Sequence, residues 1–240
     1  AIKDSDYGLT TRASAFALIP MHDTLDFGKN PVFKSFHFSL GRDSLSFVSP
    51  YQEHIIQNVN VYELADALKD STNFDCNSTI PHKSARITKG SPIYNGGDSL
   101  SFNFSSEFGK KYMTITQSDL ENYSQYIKKF PGIYLETSNP LGNGGRINMF
   151  NLQLSYNSSY GYITGNYAKL SFSGEYDGAR KDSSFYFYYG ATKFYDIDSL
   201  LSKSGTGSFP EYALNLTSQS TRSKAGKAGD EILVEGGGGL

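Results

Sequence analysis

The sequence predicts an all-β, jelly-roll-like β-sandwich, joined by a second, smaller β-rich unit and interrupted by one or two short helices. Three observations carry this reading. Apolar and polar residues alternate over many short runs, which is the period of a half-buried strand. Aromatic residues make up 15% of the chain, with 18 Tyr and 17 Phe but no Trp. The 24 glycines fall with Asn, Asp and Ser between the alternating runs, as tight turns between strands require. At 240 residues a globular chain buries about 70% of its unfolded surface, so a sizeable core forms without crosslinks.

The elements follow in order. The stretch "RASAFALI" (12–19) reads as a strand, and "VFKSFHFSLG" places Phe36, Phe38 and Leu40 on one face with His37 on the other. "NVNVYEL" (58–64) turns Val59 and Val61 to the core and leads into "ELADALKDS", a short helix contributing Leu64 and Leu68. "DSLSFNFSSEF" sets Leu100, Phe102 and Phe104 opposite Ser99, Ser101, Asn103 and Ser105. The second helix spans "TQSDLENYSQYIKKF", with Ser118 as N-cap, Glu121 completing the capping box, an apolar face of Leu120, Tyr123, Ile127 and Phe130, and Pro131–Gly132 as the stop. "GIYLETS" (132–138), "RINMFNLQLSY" (146–156), "AKLSFSGEY" (168–176), "SSFYFYYG" (183–190), "EYALNLTS" (211–218) and "EILVE" (231–235) complete the strands. The turn "NPLGNGG" (139–145) divides a first part, residues 1–138, from a second, residues 139–240.

Charge and motifs narrow the function classes. The 24 acidic and 22 basic residues are intermixed and sum to −2, which gives no global attraction for nucleic acid. Cys76 is the single cysteine, so neither an internal disulfide nor a thiolate metal cluster is expected. His22, His37, His54 and His82 form no HxH or HExxH spacing, and neither GxSxG nor a P-loop occurs. Asp177 with Asp182, or Asp196 with Asp198, places two carboxylates near a turn without the EF-hand pattern. No catalytic, cofactor-binding or metal-binding residue is assigned. Aromatic side chains give the strongest ligand-like signal: in "SSFYFYYG", Tyr186 and Tyr188 face outward if Phe185, Phe187 and Tyr189 face inward. The competing reading buries that strand on both faces. Tyr156, Tyr160, Tyr162 and Tyr167 add a second contact surface in "SYNSSYGYITGNY".

The stretches "DYGLTTRASAFAL", "DTLDFGKNPVFKSFHFSL", "QNVNVYELADAL", "GIYLETS", "GNGGRINMFNLQLSY" and "EILVEGGGGL" resemble the DUF4270 family of Bacteroidota, secreted proteins that are typically predicted lipoproteins. The resemblance runs from about Tyr7 to Leu240. It implies a signal peptide and an anchoring cysteine upstream, a chain continuing past the glycine-rich end, and lipid-anchored placement at the outer membrane. It supplies no enzymatic activity. The expectation is a non-enzymatic exported lipoprotein that binds another envelope or outer-membrane protein, the alternative being a glycan-binding module; neither nucleic acid nor a cofactor is expected.

Overall fold

The computed structural model describes residues 1–5, 8–44, 55–68, 79–190, 194, 201–202, 205–208 and 214–217. Its strands are, in chain order, β1 (Ile2–Asp4), β2 (Gly8–Thr10), β3 (Arg12–Phe16), β4 (Leu18–Pro20), β5 (Lys29–Arg42) and β6 (Gln57–Leu64). After β7 (His82–Arg86), β8 (Ile93–Tyr94) and β9 (Ser99–Asn103) come three short helices, α1 (Ser106–Tyr112), α2 (Gln117–Glu121) and α3 (Tyr123–Lys129). The chain returns to strands in β10 (Ile133–Thr137), β11 (Gly144–Gly145), β12 (Phe150–Asn151), β13 (Leu154–Asn157) and β14 (Tyr162–Gly165). The last four are β15 (Ala168–Tyr176), β16 (Ala179–Tyr189), β17 (Thr206–Ser208) and β18 (Leu214–Thr217). No helix among the described residues is long and apolar enough to cross a membrane.

The fold is mostly β, and its strands form four sheets. One six-stranded sheet runs β18-β3-β10-β6-β7 with β8 on β6, and a second runs β12-β5-β15-β16-β4 with β9 on β5. Two three-stranded sheets, β11-β1-β2 and β14-β13-β17, complete the set. Both six-stranded sheets feed one apolar cluster. Phe16 and Ile133 come from the first; Phe36, Phe38, Leu170 and Phe187 come from the second, all at most 1% exposed. Phe16 stacks against Phe38 with ring centroids 6.3 Å apart and meets Tyr189 edge-on at 5.6 Å. Because β5 pairs with β15, strands from both sides of residues 139–145 share a sheet and a core.

Strand β5 shows how alternation builds this core. Phe36, Phe38 and Leu40 are buried, while His37 between them is exposed. The Phe36 ring touches Phe104 at 4.9 Å, Tyr112 at 5.1 Å and Phe187 at 5.3 Å, which ties β5, α1 and β16 together. Each such aromatic contact adds about 0.5–1.5 kcal/mol beyond area burial.

Several local expectations change. "RASAFALI" is two strands: β3 belongs to the first large sheet and β4 to the second, and the chain crosses between them at Ala17. The predicted strand through residues 98–108 ends at Asn103; Ser105 then caps α1 by accepting from the Phe108 backbone N–H at 3.2 Å. Gly109 lets α1 lie against β5, since a Cβ there would sit 2.1 Å from the Phe33 ring. The predicted helix after "NVNVYEL" is absent at residues 65–68, because the Leu64 and Ala65 N–H groups donate to the Gly132 and Pro81 carbonyls, 3.0 Å each. Leu64 is nevertheless buried, with Ala15 and Ile80, and Leu68 packs on them. "RINMFNLQLSY" pairs only at β12 and β13. "EILVE" and Cys76 lie outside the described residues.

The second predicted helix is two helices, α2 and α3, and its cap is not Ser118 with Glu121. Thr116 is the N-cap and Asp119 closes the box, accepting from the Thr116 backbone N–H at 2.9 Å and hydroxyl at 2.7 Å. Asn122 then caps α3, from which Tyr126 and Phe130 are buried and Tyr123 and Ile127 pack partly. Asp119 is fully buried and also accepts from Lys129 Nζ at 2.5 Å. Burial alone raises its pKa, but the Lys129 and Thr116 hydrogen bonds outweigh it and hold the carboxyl below its usual value. A depressed folded-state pKa gives stability that is present above the unfolded carboxylate value of about 4 and is lost as pH falls through the folded one. Asp119→Asn is therefore expected to lower unfolding stability by about 1–2 kcal/mol at neutral pH. In urea titrations at a series of pH values, the gap from the parent chain should close below about pH 4.

Candidate functional site

The outer face of the second large sheet carries the candidate site. Its register follows from a hairpin: Asp177 and Gly178 have φ of 52° and 78°, the two positive values a type I′ turn needs, and they join β15 to β16. Counting back from that turn, Tyr186 falls opposite Lys169, Ser184 opposite Ser171 and Asp182 opposite Ser173. Strand β5 adds His37 beside Lys169 and Ser35 beside Ser171. One row therefore reads His37–Lys169–Tyr186, and the next reads Ser35–Ser171–Ser184. Adjacent rows on one face are about 6.5–7 Å apart.

A bulge changes what β5 delivers. Ser171 faces Ser35 while Phe172 faces Phe33, which leaves Lys34 as the extra residue. Lys34 reaches across β15 to Asp182 on β16, with Nζ 2.5 Å from Oδ2. Where the pair crosses β15, this face carries the small Ser171 and Ser173, with Lys169 one row on, opposite Tyr186. The result is an open groove of about 410 Å³, lined by Lys34, Ser171, Phe172, Asp182, Ser183, Ser184 and Tyr186. The Ser171 and Ser184 hydroxyls are 3.1 Å apart on its floor.

Tyr186 closes one side of the groove and is half-buried. Tyr167 meets its ring edge-on at 5.3 Å, His22 lies at 6.2 Å, and the Lys169 ammonium sits 5.8 Å from the ring centroid. His22 also packs edge-on against Phe185. Burial in this setting lowers the His22 pKa, with Asp23 opposing the shift.

The predicted contact residues separate. Tyr188 is 1% exposed and belongs to the shared core, so it offers no outward surface. The physical reason is that Phe187, Tyr188 and Tyr189 are all buried: the end of β16 is covered on both faces, and alternation stops marking an outside there. Tyr160 is 77% exposed, in the turn between β13 and β14, on a different sheet from Tyr186. The Tyr162 backbone opens β14 opposite Asn157. Tyr167, from the same aromatic stretch, is the residue that reaches Tyr186. Lys34, Lys169, Ser171 and Ser184 were not singled out from the sequence, although alternation in "AKLSFSGEY" already places Lys169 and Ser171 on one face.

Other polar groups are structural. Glu63, at the end of "NVNVYEL", is buried and bridges Lys83, 2.8 Å away, and Lys111 of α1. That strand end thus clamps β7 and α1 to β6. His37 lies 3.3 Å from Asn103, and His82 stacks on Tyr62 and Tyr134 at 4.7 and 4.5 Å. Among the described residues no three His, Cys, Asp or Glu side chains group as a metal site. Asp177 is at the hairpin tip and Asp182 is paired with Lys34; His54, Asp196 and Asp198 lie outside the described residues. No family model matches the chain, and neither a curated protein nor a solved structure shows significant similarity to it.

The two tyrosines of β16 are expected to behave differently when truncated. Tyr188→Ala should cost about 3–5 kcal/mol of unfolding stability, as for a fully buried aromatic side chain. Tyr186→Ala should cost less than half of that. Chemical denaturation of both variants, followed by circular dichroism, checks the difference.

Proposed function

We propose that this chain is the non-enzymatic binding part of an exported, lipid-anchored outer-membrane protein, and that it contacts a neighbouring envelope component. The observation that carries the reading is the outer face of β5, β15 and β16. There, aromatic, cationic, anionic and hydroxyl side chains stand together on strands held rigid by pairing and by an aromatic core beneath. Rigid presentation of mixed polar and aromatic groups is what a recognition surface needs, because little side-chain and backbone entropy is then lost on binding. The resemblance to exported lipoproteins supplies the envelope setting and the upstream anchor.

We also read the two six-stranded sheets as the layers of a jelly-roll-like sandwich. Support comes from their antiparallel pairing, their common apolar cluster and the chain crossing at Ala17. A neighbouring envelope protein is the first partner reading. A glycan is the second, favoured by the small size and polar lining of the groove beside Tyr186.

Affinity purification of the full-length tagged protein from its native membrane, in mild detergent with a salt-wash control, tests the assignment. One stoichiometric envelope protein is expected, and its recovery should fall when Tyr186 is changed to Ala. Recovery of the tagged protein alone overturns the stable-complex reading.

A further inference from the structure

We infer that the groove between Lys34 and Tyr186 is a binding site for a neutral saccharide, a short run of pyranose units. This inference rests on the reading of the outer sheet face as a recognition surface, and it names the ligand class.

The chemistry of the groove selects among ligands. Lys34 supplies only hydrogen-bond donors and Asp182 only acceptors, and they are held 2.5 Å apart. Adjacent sugar hydroxyls each give and receive a hydrogen bond, so a vicinal diol satisfies both members of such a pair at once. The serine row below offers hydroxyls of the same dual character, with Ser171 and Ser184 already 3.1 Å apart. Tyr186 borders the groove with its ring partly covered by Lys169 and Tyr167, and its half-exposed remainder gives apolar contact to the C–H groups of a sugar. The groove is open along its length, so a ligand lies along it rather than being enclosed.

Other ligand classes fit less well. Strand β15 is hydrogen-bonded to β5 on one side and β16 on the other, so its main chain is unavailable for adding a peptide strand. A peptide helix needs an apolar trough, whereas this floor is lined by hydroxyls. Phosphate or a polyanion needs several unbalanced cations, and pairing of Lys34 with Asp182 leaves Lys169, over the Tyr186 ring, as the charge beside the groove.

The bulge explains how Lys34 reaches the groove. A regular strand gives one side chain per two residues to each face, but the extra residue in β5 places Lys34 in reach of Asp182 while Ser35 stays beside Ser171. The ion pair crosses β15 at the small Ser171 and Ser173, which leaves the groove open between it and the Lys169–Tyr186 row.

The test titrates the full chain, labelled with ¹⁵N, with cellotetraose, xylotetraose, mannotetraose and maltotetraose in turn. The expected result is saturable amide shifts confined to residues 34–35, 169–171 and 182–186 with at least one of the four. Lys34→Ala and Asp182→Ala change partly exposed side chains, so the fold is expected to persist. Each should weaken binding by about tenfold, the effect of losing one good polar contact. Glu121→Ala, at an exposed position of α2, should leave affinity unchanged. Absence of saturable shifts with all four sugars, shifts centred elsewhere, or full affinity in Asp182→Ala overturns the inference. The same variants are carried through the membrane purification. If an envelope protein is recovered and depends on Lys34 or Asp182 while no sugar binds, the saccharide assignment fails and the binding reading stands. If neither a protein nor a sugar is bound, both fall.

Discussion

The outer face of the second large sheet depends on the aromatic cluster beneath it. Phe36 and Phe38 commit β5 to one register: a one-residue slip would expose both rings and bury His37 and Ser39 in their place. Once the inner set is fixed, the outer set has no freedom. His37, Ser35 and Lys34 face the groove side because the phenylalanines occupy the other. The same holds for β15, where burial of Leu170 leaves Lys169 and Ser171 outside. Packing energy on one side of the sheet therefore sets the chemistry displayed on the other.

Much of this was legible in the sequence. The alternation of β5, β9 and β15 marks inner and outer residues correctly, and "AKLSFSGEY" coincides with β15. The register of β15 against β16 can be counted from Asp177–Gly178 alone, since that dipeptide favours a two-residue hairpin turn. What stayed hidden was non-local. Pairing of β5 with β15 joins segments more than a hundred residues apart, and no local pattern announces a bulge at Lys34. The division at residues 139–145 follows composition, whereas the shared core follows pairing. For Tyr188 the reading that buries the strand on both faces holds, since alternation marks an outside only where one face is wet, and the end of β16 has none.

The helical region shows the same limit at shorter range. Ser118 with Glu121 and Thr116 with Asp119 both satisfy the spacing of a capping box in overlapping sequence. Asp119 prevails because it also reaches Lys129, ten residues on, which binds α2 to α3. A contact across the helix pair decides a choice that local spacing leaves open. Glu63 is comparable: within "NVNVYEL" it looks like the first polar residue of a connection. In the fold, Lys83 and Lys111 approach it from two different elements.

The bulge also governs how this strand can change length. Inserting or deleting a residue within a regular strand inverts every side chain beyond it and would turn phenylalanines outward. Loss of Lys34 would instead leave Ser35 and Phe33 opposite Ser171 and Phe172 in simple succession, with each inner residue still inward. The residue that spans the groove is thus one the surrounding architecture can gain or lose without reorganising. Related chains with and without it would share one scaffold and differ at a single recognition element, so that selectivity drifts by indel while the core stays unchanged.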